Sequence, residues 1–155
     1  MATLERLFVE YCVSGDVNSL TKILKENIID IHTDNELGFR WAFTNANVQV
    51  IDFLLHIHHT IPKYSMINIH INDDEIFYQC CFRNSWMLNK YLIKKTIKQP
   101  EYGLINIHCH NYAGFKSANI YKNKLMATHL VSLGCCVHRN EMIFEDDEFI
   151  YNIFL

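Results

Sequence analysis

Proline occurs only twice and glycine five times in this 155-residue chain, and no glycine-rich phosphate loop is present. A Ser-centred nucleophile elbow and a His-Glu-x-x-His metal motif are missing too. No run approaches the roughly 20 apolar residues that a membrane-spanning helix needs. The first residues, Met1-Ala-Thr-Leu-Glu-Arg-Leu-Phe8, carry early charges and no uninterrupted apolar stretch, unlike a secretory signal. The six cysteines (12, 80, 81, 109, 135 and 136) include two adjacent pairs and lack the spacing of a secreted scaffold. Adjacent cysteines are poorly placed to bridge one another, so reduced thiols in an intracellular protein are expected. These absences argue against an enzyme, a cofactor protein and a membrane protein.

What is present argues for a folded chain. Half the residues are hydrophobic and a fifth are charged, which excludes the disordered class. The net charge of −3 speaks against a broad polyanion-binding face, so no nucleic-acid partner is expected, and Lys94-Lys95 is read as a local basic run. The nine histidines move the charge toward positive near pH 6. Ile, Asn, Lys, Tyr and Phe are favoured over Ala, Gly and Pro, a bias like that of an AT-rich coding genome.

The chain also repeats itself. Pro62-Lys-Tyr-Ser-Met-Ile-Asn-Ile-His70 returns 38 residues later as Pro100-Glu-Tyr-Gly-Leu-Ile-Asn-Ile-His108, and Ile31-His32 lies 38 residues earlier. Such a period marks a stack of similar units. Aligned on Phe8, Phe39, Phe77 and Phe115, the units share a mostly small column, Tyr11/Ala42/Cys80/Ala118. Gly15/Ala46/Asn84/Lys122 and Asp16/Asn47/Ser85/Asn123 follow. Every member of the last set is a preferred helix N-cap, whose side-chain oxygen is expected to satisfy a free backbone N–H. Columns Leu20/Ile51/Asn89/Ala127, apolar but for Asn89, Ile23/Leu54/Leu92/Leu130 and Leu24/Leu55/Ile93/Val131 then recur at helical spacing.

Each unit therefore predicts a first helix (about 3–13, 36–44, 74–82 and 112–120) and a second (about 17–26, 48–57, 86–96 and 124–133). An extended Ile-Asp/Asn-Ile-His connector leads to the next unit. Hairpins this short bury their apolar faces only by stacking. Pro62 and Pro100 sit in register after the second helices, in extensions of about seven or eight residues, where proline stops a helix. They read as loops added to a unit of about 30 residues. The boundaries are about 1–30, 31–68, 69–106 and 107–136, within one repeat domain spanning 1–155. Residues 137–155, acidic and then aromatic, read as a cap closing the stack.

These columns resemble the ankyrin repeat. Ser14-Gly15-Asp16-Val17 and Asn45-Ala46-Asn47-Val48 are similar to the family's turn before its second helix, followed by Leu20, Ile23, Leu24 and by Ile51, Leu54, Leu55. Ile29-Asp30-Ile31-His32, Ile67-Asn68-Ile69-His70 and Ile105-Asn106-Ile107-His108 resemble its Ala-Asp-Val-Asn entry. The Thr-Pro-Leu-His opening of the family is replaced by Leu37-Gly38-Phe39-Arg40, Glu75-Ile76-Phe77-Tyr78 and Ala113-Gly114-Phe115-Lys116. The connector is about three residues shorter than usual, so the projecting β-hairpin is expected to shrink to a tight loop. The pattern is similar to divergent ankyrin proteins of giant DNA viruses of amoebae (mimivirus-like). The resemblance implies an all-α solenoid of four units plus a C-terminal cap. It further implies binding of a host or viral protein through a concave connector and first-helix face, in the infected cytoplasm or the virion.

Arg40, Trp41, Tyr78 and Lys116 vary beside the fixed phenylalanines and are the candidate partner contacts; Arg, Tyr and Trp dominate binding hot spots. The column His32, His70, His108 and His138 is read as structural, each imidazole bonded to loop backbone. Equivalent residues in stacked repeats lie about 10 Å apart, too far for ligands at about 2 Å from one metal. His56-Ile-His58-His59, His108-Cys109-His110 and Cys135-Cys136-Val-His138 lack paired metal-ligand spacing, so no metal is expected, and a metal- or redox-dependent activity is the remote alternative. Tyr64 and Tyr102 recur with the prolines and are assigned a structural duty. A self-associating component using Phe144, Phe149, Tyr151 and Phe154 is the rival reading, with a monomer preferred.

Overall fold

The computed structural model describes residues 3–133, and all their regular structure is helical. The chain divides into two compact units, Met1–Ile71 and Asn72–Leu155. The expected cap at 137–155 and His138 lie outside the described residues.

In the first unit, α1 (Thr3–Ser14) and α2 (Val17–Glu26) form one hairpin, and α3 (Thr33–Thr44) and α4 (Val48–Leu55) the next. Helix α1 packs on α3 and α2 on α4. The predicted second helix at 48–57 ends two residues early. At His56 the backbone leaves the helix, and the ring bonds the Asp52 carbonyl at 2.8 Å. A short turn, α5 (Ile57–Thr60), follows. Phe8, Leu20, Leu24, Phe39 and Ala42 of the predicted columns have no solvent exposure; Cys12 is buried in place of Tyr11, which is half-buried, as is Ile23. Gly38 permits the close approach of α3 to α1. A Cβ there would overlap the edge of the Phe8 ring and lie 3.1 Å from Cys12 Sγ.

The second unit contains α6 (Ile71–Phe82), α7 (Trp86–Lys98), a 3-10 turn at Pro100–Tyr102, α8 (Cys109–Ile120) and α9 (Lys124–Ser132). Phe77 and Phe115 are buried in their turn.

The connectors are tighter than a β-hairpin. Two residues after the His of each Ile-His, three consecutive residues adopt left-handed backbone: Asp34-Asn35-Glu36, Asn72-Asp73-Asp74 and His110-Asn111-Tyr112, with φ between 50° and 61°. Each such residue costs about 1–2 kcal/mol unless it is Gly, Asn or Asp, which accounts for the Asn and Asp at six of these nine positions. The preceding Asp or Asn closes a local turn. Asp30 Oδ1, Asn68 Oδ1 and Asn106 Oδ1 accept from the N–H of His32, His70 and His108 at 3.0, 2.9 and 3.0 Å. That is the physical content of the repeated Ile-Asp/Asn-Ile-His motif.

The N-cap column holds its position in all four repeats but not its expected chemistry. Asp16 and Asn123 accept from Ser19 N–H and Met126 N–H at 3.0 and 3.1 Å, whereas Asn47 and Ser85 make no side-chain cap bond. Asn47 instead donates to the Cys12 and Val13 carbonyls, at 2.8 and 2.9 Å, closing the end of α1. The approach is possible because Gly15, at φ 79°, has no Cβ; one would lie 3.0 Å from Asn47 Oδ1.

Candidate protein-binding face

The first helices carry the candidate residues, in two separate units. On α3, Arg40 is half-buried and Trp41 is 42% exposed, with the Asn45 amide bonded to the Trp41 carbonyl at 2.9 Å. In the second unit, Tyr78 on α6 and Lys116 on α8 are both half-buried.

Tyr78 is one link in a chain of rings. Its centroid lies 5.3 Å from His110 and 6.1 Å from Phe82, one helical turn along α6. Phe82 meets Tyr121 edge-on at 5.7 Å. Phe82 and Tyr121 remain 45% and 58% exposed, and Ile120 beside Tyr121 is exposed as well. Rings 4.5–7 Å apart gain about 0.5–1.5 kcal/mol per pair, so this row is held in place while one side stays in water. Phe82, Ile120, Tyr121 and His110 were not among the sequence candidates. The signal was available: Phe82 stands four residues after Tyr78, and Val13, Thr44, Phe82 and Ile120 form a mostly apolar column five residues after the aligned phenylalanines.

The histidine column departs from the expected backbone bonding at His32. Its Nδ1 faces Glu36 Oε1 and its Nε2 faces Ser65 Oγ, both at 2.7 Å, so both ring nitrogens are occupied by side chains. The ring of His108 packs edge-on against Tyr112 at 4.8 Å. Two buried acids, Glu36 and Asp74, complete the connectors. Glu36 Oε1 accepts from Asn68 N–H at 2.9 Å and Asp74 Oδ2 from Asn106 N–H at 2.7 Å. Each ties its left-handed turn to the connector of the next repeat. The third member of that register is Tyr112, which cannot accept as a carboxylate does.

Tyr64 and its neighbours explain the first proline loop. Tyr64 O–H donates to the Leu24 and Asn27 carbonyls at 3.1 and 3.0 Å, and Lys63 Nζ donates to Asn27 at 2.6 Å. With Ser65 on His32, the loop closes the C-terminal end of α2, where free carbonyls and the helix dipole favour donors and cations. Burial raises the Tyr64 hydroxyl above the ordinary phenol range. Tyr102 is likewise buried, and burial with the nearby Glu101 charge pushes it up to about 12.

The thiols of Cys12, Cys80 and Cys109 are buried and unbridged, and burial pushes each up to about 12. At neutral pH they are therefore small apolar groups, not thiolates. No protein family, curated protein or solved structure matches this chain.

Proposed function

We propose that the chain is an ankyrin-type repeat module with no catalytic role, which binds a protein through its connectors and first helices. The supporting observation is the half-exposed row His110, Tyr78, Phe82 and Tyr121. These rings are ordered by mutual packing before any partner arrives, so binding costs little side-chain entropy. Their chemistry is that of interface hot spots. Trp41 and Arg40 offer comparable groups on the first unit. The resemblance to giant-virus ankyrin proteins suggests a host or viral protein as the partner, met in the infected cytoplasm or the particle.

The reading is tested by affinity capture from infected and host-cell lysate, followed by binding of the purified partner. Tyr78→Ala with Phe82→Ala is expected to weaken binding by on the order of 100-fold or more, as the loss of two hot-spot rings does. A captured protein that binds the double variant with unchanged affinity would remove this face from consideration.

A further inference from the structure

The net charge of −3 conceals a segregation along the chain: residues 76–140 contain nine basic residues and a single acid, Glu101. Helix α7 concentrates it, with four lysines and no acidic residue in 13 positions. Its inner face is filled by Leu88, Asn89, Leu92, Ile93 and Thr96. Its outer face runs Met87, Lys90, Tyr91, Lys94, Ile97 and Lys98, one side of a helix at spacings of three and four. Lys90, Lys94 and Lys98 are exposed, and Met87 and Ile97, 69% and 61% exposed, flank Lys90 and Lys94 on the same face. Trp86 and Tyr91 lie under the Lys90 and Lys95 ammonium groups at 5.1 and 5.9 Å.

From this face we infer that α7 is a docking surface for an anionic phospholipid membrane, a property separate from the protein-binding face. Three features select lipid among polyanions. Phosphates of a nucleic acid reward the lysines but give nothing to Met87 and Ile97, whereas a bilayer surface takes up both. Lysine stems and half-buried aromatic rings suit the headgroup boundary, where apolar bodies sink and charged ends stay wet. The outer face of 13 helical residues offers only about 200 Å², on a length of about 20 Å. That is far below the roughly 800 Å² per partner of a stable protein interface, while a fluid surface needs no shaped groove.

The test is co-sedimentation of the full chain with vesicles of phosphatidylcholine alone and with about 30% phosphatidylserine. Partitioning onto the phosphatidylserine vesicles only is expected, weakening steeply as salt rises from about 0.1 to about 0.5 M. Each lysine contributes about fivefold, so K90Q/K94Q/K98Q should lower partitioning by on the order of 100-fold. M87S/I97S, with charge unchanged, should lower it at least about 10-fold. Lys22→Gln with Lys25→Gln on α2 should leave it unaltered. All these side chains reach solvent, and an unchanged circular-dichroism melt verifies the fold. Equal binding to both vesicle types, or none to either, would overturn the inference. So would full vesicle binding by M87S/I97S together with equally tight binding of duplex DNA or polyglutamate, which would make α7 a site for charge alone.

Discussion

Individual residues separate cleanly into those that pack and those that face outward, and adjacent positions do both. Phe77 has no exposure while its neighbour Tyr78 is half-buried within the outward row of rings. Phe77→Ala should cost about 3–5 kcal/mol as a core truncation. Tyr78→Ala should cost no more than about 1.5 kcal/mol, the worth of its ring contacts. Equal losses in urea denaturation would place the helix in a different register. Burial, followed by the Lys90 charge, holds the His129 imidazole below its ordinary range. The folded state thus resists protonation of a group that the unfolded chain protonates near about pH 6.5. Stability from this group is complete above that pH and is lost as pH falls below it. The prediction is a melting temperature that drops between about pH 7.5 and 5.5, with a shallower drop in His129→Gln. The phenylalanine column was legible in the sequence because core packing demands the same side chain in every repeat. Glu36 and Asp74 were not, because their importance comes from burial and from a backbone N–H a full repeat away.

At the level of elements, the helices were readable because apolar spacing and N-cap residues both follow local rules. What closes the helices was less so. Asn47 was read as a cap for its own helix, yet its amide closes the end of α1, 34 and 35 residues earlier. The three-residue left-handed turns were expected only as tight loops, since the left-handed region is open to Asn and Asp but not required by them. The proline loop shows the same dependence on distant partners, because Tyr64 acts on α2. Tyr64→Phe keeps the ring and removes the donor to Leu24 and Asn27, and should cost about 1–2 kcal/mol in chemical denaturation. A smaller loss than Lys63→Ala would assign the capping to the lysine instead. The turn before α4 carries Ala46 at φ 56° where the first repeat has glycine. Ala46→Gly should therefore raise stability by about 0.5–1 kcal/mol, the left-handed penalty less the added chain entropy.

Across the molecule, one short helical hairpin recurs with variation, and in the first unit successive hairpins pack on each other through α1 with α3 and α2 with α4. The fixed columns supply those contacts, and the variable positions beside them are free to differ in chemistry. Trp41 stands on the first unit; Tyr78, Phe82 and Tyr121 stand on the second. The central claim is that first-helix positions, and not the remaining surface, meet a protein partner. It is tested by placing a photo-reactive benzoyl-phenylalanine at Trp41, Tyr78 or Tyr121, and at Gln49 or Thr128 on second helices. Irradiation in infected or host-cell lysate is followed by mass spectrometry of the adducts. The account predicts a common protein joined from the three first-helix and turn positions and absent from the other two. Adducts from Gln49 and Thr128 alone, or in equal yield from all five, would contradict it.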